Sequence, residues 1–178
     1  TPARGCRVAV VTGAARGIGW ATVQALADAG AHPVLVDRDE NALQRASATL
    51  RERRVEHRSL ALDVTDEAAV DAAFAGIAAW RGRLDILVNN AGIALRRPSV
   101  ELTRRDWQAV VDVNLTGVFL CARAAARHML AAKRGLAAMR ADGRDAEQRV
   151  EMEARQRAGV GARAQVALEE ERLRDQRE

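Results

Sequence analysis

Thr12-Gly13-Ala14-Ala15-Arg16-Gly17-Ile18-Gly19 follows the apolar run Val8-Ala9-Val10-Val11 and opens a helical pattern, so the chain here passes from a strand through a sharp turn into a helix. The first backbone N–H groups of such a helix have no partner inside it. Together with the helix dipole they make a seat for the pyrophosphate of a dinucleotide. Glycine meets two needs at this turn: backbone angles that a Cβ opposes, and close approach of phosphate to the main chain. Asp37 stands at the end of the next apolar run, about 20 residues on, which is where a dinucleotide-binding unit carries its acid.

Outward from this turn, Val23, Leu26 and Ala27 recur at helical spacing and Gly30 closes the first helix. Pro33-Val34-Leu35-Val36 suits a buried parallel strand. At its end Asp37 can accept hydrogen bonds from the adenosine ribose hydroxyls, and its charge would repel a 2′-phosphate, which points to NAD in preference to NADP. Arg16 and Arg38 pull the other way, because a guanidinium can pair with that phosphate. Residues 40 to 53 form a second helix with Leu43, Ala46 and Leu50 on its inner face. A strand over 57 to 62 then leads to Asp63-Val64, and a third helix over 66 to 80 carries Val70, Phe74 and Ile77 inward, with Thr65 placed to N-cap it. Leu84-Asp85-Ile86-Leu87-Val88 reads as a fourth strand, followed directly by Asn89-Asn90-Ala91-Gly92. Asn side chains both donate and accept, so they can bridge backbone groups where a sheet diverges. Thr103 is the expected N-cap of a long helix from about Arg104 to Lys133, within which Gly117 costs about 1 kcal/mol and so implies close packing or a distortion. The alternation predicts an α/β fold: a Rossmann-type doubly wound parallel sheet of about four strands with helices on both faces.

Thr12-Gly13-x-x-x-Gly17-Ile18-Gly19, Asn89-Asn90-Ala91-Gly92 and Asn114 in Val113-Asn114-Leu115-Thr116-Gly117, in this order and at these distances, resemble the cofactor-binding portion of the short-chain dehydrogenase/reductase family. The resemblance covers residues 7 to 134. It implies NAD-dependent oxidation of an alcohol, or reduction of a carbonyl, on a small substrate. By the same resemblance Thr12, Gly13, Arg16, Gly17, Ile18, Gly19, Asp37 and Arg38 face the dinucleotide, Asp63 and Val64 touch the adenine ring, and Asn90, Ala91 and Gly92 lie beside the cofactor. Asn114 corresponds to a catalytic-site asparagine whose main chain holds a water linked to a catalytic lysine. The long fourth helix, residues 104 to 133, corresponds to a common subunit interface in the family, so Trp107, Val111, Phe119 or Leu120 would be exposed on a monomer and buried in a dimer.

The family pattern stops near Gly135. Beyond it a fifth strand ending in a serine and a Tyr-x-x-x-Lys helix are expected, because hydride transfer needs a phenol to exchange a proton, an ammonium to lower the phenol's pKa, and a hydroxyl to orient the carbonyl. The sequence has no Tyr, Lys133 is its only lysine, and Ser47, Ser59 and Ser99 all precede the expected strand. Residues 136 to 178 offer no β-branched run for the missing strand and are rich in Ala, Arg, Glu and Gln, a composition that suits a helical or disordered tail. The sheet is therefore expected to be incomplete after its fourth strand, with a dinucleotide-binding domain over 1 to 135 and a tail over 136 to 178. The abrupt change of pattern favours a truncated or frame-altered enzyme over a genuine extension that recruits a partner. As the chain stands, catalysis is not expected; the alternative function is a non-catalytic dinucleotide-binding or protein-interaction module.

Composition narrows the remaining classes. Net charge is +4, with basic residues interleaved with acids and not gathered on one segment, which argues against a nucleic-acid footprint. Only 3% of residues are aromatic, so aliphatic side chains must fill the core. Cys6 and Cys121 lack metal-ligand spacing and read as reduced thiols of a cytoplasmic protein, and no secretory or membrane-spanning segment is expected. The chain begins at Thr1, which suggests that an initiator or a longer leading segment is not included.

Overall fold

The computed structural model describes residues 7–132 and the strand 136–139. Strands β1 (Val8–Thr12), β2 (His32–Asp37), β3 (Arg58–Ala61) and β4 (Ile86–Asn89) alternate with helices α1 (Gly17–Asp28), α2 (Glu40–Glu52) and α3 (Glu67–Arg81). A helical run follows in three parts: α4 (Arg104–Val111), a π-helical segment Asp112–Gly117, and α5 (Val118–Ala131). All strand pairs are parallel, in the order β3-β2-β1-β4-β5, where β5 is Leu136–Met139. The chain leaves β1 toward β2 and β3, then crosses back to lay β4 on the other side of β1. Beyond the C-terminal ends of β1 and β4, that reversal opens the crevice in which such sheets bind ligands.

Both faces of the sheet are covered, as expected of a doubly wound fold. Val11 and Leu35 pack with Val23 of α1 and Leu43, Ala46 and Leu50 of α2. On the opposite face Val8, Val10, Val34, Val36 and Leu87 meet Val70, Phe74 and Ile77 of α3 and Leu120, Cys121, Ala124, Ala125 and Met129 of α5. The period-2 alternation of a strand thus feeds two separate cores from one apolar run. Phe74 and Ile77 are fully buried, and each contributes about 1.5–3 kcal/mol by leaving water. Burial pushes the free Cys121 thiol up to about 12. Cys6 lies outside the described residues.

The structure corrects three sequence expectations. Leu136–Met139 is a fifth strand, β5, paired with β4 from Ile86↔Leu136 to Asn89↔Met139, so the sheet does not end at its fourth strand and its unit runs to Met139. No β-branched run marks β5, and the two alanines at its centre concealed it. The remainder of the expected tail, and Lys133, lie outside the described residues. The N-cap of α3 is Asp66, not Thr65. Leu120 is buried in the core and Val111 half-buried, whereas Trp107 and Phe119 are exposed as anticipated. Arg104–Ala131 is one helical run long and apolar enough to cross a membrane by length and composition only, its best 18-residue window having mean hydropathy 1.5. In this fold its Leu120, Cys121, Ala124, Ala125 and Met129 are buried instead against the sheet layer.

Candidate functional site

The crevice is built around the carbonyl end of β1. Thr12 is buried, and its Oγ1 accepts the N–H groups of Asn90 and Ala91, both at 3.0 Å. Asn90 Nδ2 donates to the carbonyls of Thr12 and Gly13, both at 3.0 Å. One asparagine amide therefore ties the turn after β1 to the turn after β4. Asn89 behaves differently: its side chain points into the interior and its Nδ2 has no acceptor among the described residues.

Each glycine of the turn has its own reason. Gly13 and Gly17 have φ of +62° and +56°, a region other residues enter at a cost. A Cβ on Gly19 would lie 2.1 Å from the Gly13 carbonyl oxygen and 2.5 Å from Asn90 Nδ2, so here helix meets strand too closely for any side chain. A Cβ on Gly17 would meet nothing within 4 Å, so the turn is open on that side. Arg16, Gly17 and Ile18 are exposed. Arg16, the N-cap of α1, makes no side-chain cap hydrogen bond, and the first turn of α1 holds no acid.

Asp37 lies at the edge of this turn. Its Oδ2 accepts the Ala15 N–H and its Oδ1 the Asp39 N–H, each at 3.1 Å. Ala14 N–H donates to the Val36 carbonyl at 3.1 Å, so the glycine turn is moored to β2 by main chain and carboxylate together. Both arginines weighed from the sequence are exposed. Arg16 Nη1 is 3.7 Å from Asp39 Oδ2, and Arg38 contributes charge to Asp63.

Asp63, past β3, accepts the Thr65 N–H at 2.9 Å and its hydroxyl at 2.7 Å. Those two bonds, then the Arg38 charge, hold its carboxyl below the ordinary value. Val64 beside it is buried. Asn114 sits in the π segment; its Oδ1 accepts the Ile93 N–H at 2.8 Å and its Nδ2 donates to the Ile93 carbonyl at 2.9 Å. The side chain thus clasps the chain just after Gly92, whose added Cβ would lie 3.3 Å from Asn114 Oδ1. A π turn widens the helix by one residue and commonly marks a functional position.

Residues not singled out from sequence complete the frame. Asp39 caps α2 through the Ala42 N–H at 2.9 Å while facing Arg16. Asp106 closes a capping box with Thr103 and also pairs with Arg97 at 3.0 Å. The Thr-x-x-Asp spacing could have revealed the latter. At the opposite end of the sheet Asp85 Oδ2 accepts the Val8 N–H at 2.9 Å, and the Asp85 carboxylate is paired with Arg83. Among the described residues no group of three or more His, Cys, Asp and Glu is placed to hold a metal ion.

Comparison with known proteins agrees with this architecture. The family model for short chain dehydrogenase matches residues 7–138. A D-threitol dehydrogenase of Mycolicibacterium smegmatis is 44% identical over 129 residues, 72% of this chain and 50% of that protein. A cis-4-hydroxycyclohexanecarboxylate dehydrogenase of Sinomonas cyclohexanicum is 49% identical over 132 residues, covering 72% and 52%. Among solved structures, a metagenomic short-chain oxidoreductase in complex with NADP is 40% identical with TM-score 0.70, over 75% of this chain and 61% of that one. An NAD+-bound xylitol dehydrogenase is 36% identical with TM-score 0.72, over 75% and 52%. The chain spans about half the length of the curated relatives it matches. With the glycine turn, the doubly wound sheet and the family match all agreeing, the chain belongs to the short-chain dehydrogenase family.

Proposed function

We propose that this chain binds a nicotinamide dinucleotide in the crevice beyond β1 and β4, as the cofactor half of an alcohol or carbonyl oxidoreductase, with NAD preferred over NADP. The observation that carries the reading is the open start of α1: no side chain caps it, no acid occupies its first turn, and Gly17 leaves the approach clear. Those features fit a diphosphate, which brings the negative charge that a helix N-terminus favours. When bound, the nicotinamide would accept or deliver hydride. Thr12, Gly13 and Gly19 set the turn, and Arg16, Gly17 and Ile18 present its outer surface to the phosphates. Asp37 faces the adenosine ribose, Asp63 and Val64 border the adenine, and Asn90, Ala91 and Gly92 flank the nicotinamide side. The carboxylate of Asp37 disfavours a 2′-phosphate at the ribose, and the pairing of Arg16 with Asp39 supports the same preference.

The same chain supplies no phenol: the sequence contains no Tyr. Asn114, by family position part of the catalytic site, here holds Ile93. The reading is thus cofactor binding without turnover by these 178 residues, acting as a dinucleotide-binding module of a soluble, cytoplasmic kind. Burial of the apolar stripe of α5 supports solubility. Exposed Trp107, Leu115, Phe119 and Leu130 support self-association through the 104–131 run. Calorimetric titration with NADH and NADPH tests the reading: saturable NADH binding, with no consumption of it by small ketones, is expected. Replacing Asp37 by Ala is expected to narrow the gap between the two cofactors by about tenfold; undiminished discrimination would remove Asp37 from the ribose.

A further inference from the structure

The π segment touches two margins of the crevice at once. Asn114 clasps Ile93 on the β4 side, while Gly117 presses on Val64 on the β3 side. A Cβ built on Gly117 would lie 2.7 Å from Val64 Cγ2, 3.2 Å from Val64 Cβ and 3.2 Å from the Val64 carbonyl oxygen. Gly117 has φ −61° and ψ −38°, ordinary helical values that any residue adopts. Backbone freedom therefore does not explain glycine here; space does. Val64 is buried in the same core as Val70, Phe74 and Leu120, so any retreat must displace packed side chains. Its chain neighbour Asp63 is held to Thr65 by two hydrogen bonds, so displacement of Val64 carries the Asp63–Thr65 turn with it.

We propose that Gly117 is a positioning residue for the adenine side of the crevice, acting through its direct contact with Val64. The inference rests on the dinucleotide reading and adds to it a residue that touches no ligand. By this account the helix takes a π turn to bring Asn114 and Gly117 to two separate loops from one six-residue segment.

The test is a double-mutant cycle on the 178-residue chain, titrated with ADP-ribose and with NADH, folding being followed by circular dichroism. Gly117→Ala is expected to weaken both ligands by about tenfold, since each carries adenine. In a Val64→Ala background, where Cγ2 is gone, the same change is expected to cost less than about threefold. Equal losses in both backgrounds overturn the proposal, because a purely structural role would not be relieved at Val64. ADP-ribose affinity within about twofold of wild type in a folded Gly117→Ala chain also overturns it. Should Gly117→Ala alone fail to fold, Val64→Ala compared with Val64→Ala/Gly117→Ala decides, and a loss there above about tenfold is fatal. A wild-type chain that binds neither ligand overturns the dinucleotide reading and this inference together, which distinguishes that failure from the others.

Discussion

The start of α1 and the starts of α2, α3 and α4 face the same physical demand and answer it differently. Each helix begins with N–H groups that nothing inside the helix can satisfy. In α2 the Asp39 carboxylate accepts the Ala42 N–H, in α3 Asp66 accepts that of Ala69, and in α4 Thr103 and Asp106 exchange bonds in a capping box. Each of these three also holds an acid in its first turn: Glu40, Glu67 and Asp106. At α1 the capping position is Arg16, its side chain makes no cap bond, and the first turn is Gly17-Ile18-Gly19 with no acid. Three helix starts are capped by side chains of the chain itself, and the fourth makes no such bond, which on the reading proposed above leaves its N–H groups to a diphosphate. Stability and binding are therefore separable along one edge of this sheet, and substitutions should show it.

Gly19→Ala should break the comparison most completely. Its Cβ would collide with the Gly13 carbonyl and the Asn90 amide, so about 3 kcal/mol of stability and measurable NADH binding should both go. Denaturant unfolding beside NADH titration reads both, and a variant with unchanged midpoint and affinity would refute the packing account. Arg16→Asp should sharpen it, because the residue already has extended N-cap angles, φ −158° and ψ 170°. The new carboxylate should cap α1 and add about 0.5–1 kcal/mol of stability while lowering NADH affinity by about tenfold. Opposite signs in melting and binding are the signature; matching signs would count against an open α1. Asp66→Ala, by contrast, should cost about 1 kcal/mol and leave NADH affinity unchanged.

The smallest effect is the response to acid. Asp63 and Asp106 are held below the ordinary 3.8, each chiefly by backbone and hydroxyl hydrogen bonds, from Thr65 and Thr103 respectively. Folded carboxylates with lowered pKa bind protons more weakly than unfolded ones, so their stabilisation is present above 3.8 and is lost as pH falls through the lowered folded values. Asp63 is exposed and Asp106 half-buried at the surface, and solvent screening keeps the contribution modest. Asp63→Asn and Asp106→Asn should flatten the melting temperature against pH below that point, and an unaltered acid limb in both would dismiss the assignment.

Much of this was legible because it is local. Val70, Phe74 and Ile77, like Leu43, Ala46 and Leu50, face inward as their spacing requires. The Gly117 irregularity was visible as a propensity conflict and proves to be both a close contact and a π distortion. What was hidden depends on partners distant in sequence. Leu136–Met139 pairs with β4 although its two alanines lower its β propensity, since an existing edge strand supplies the hydrogen bonds. Leu120 and Phe119 are neighbours of similar apolarity; only the packing of α5 on α3 and the sheet decides that one is buried and the other exposed.

The sequence by itself determined the α/β alternation, the glycine turn and the placing of Asp37 at a strand end, because periodicity and backbone angle act over a few residues. Only the tertiary structure decided that Asn90 would bind the turn after Thr12, that Asn114 would clasp Ile93, and that Gly117 would make room for Val64. Those contacts join residues 21 positions apart, for Ile93 with Asn114, and 78 apart, for Thr12 with Asn90. No local pattern encodes them, since they exist only once the strands have taken their order in the sheet.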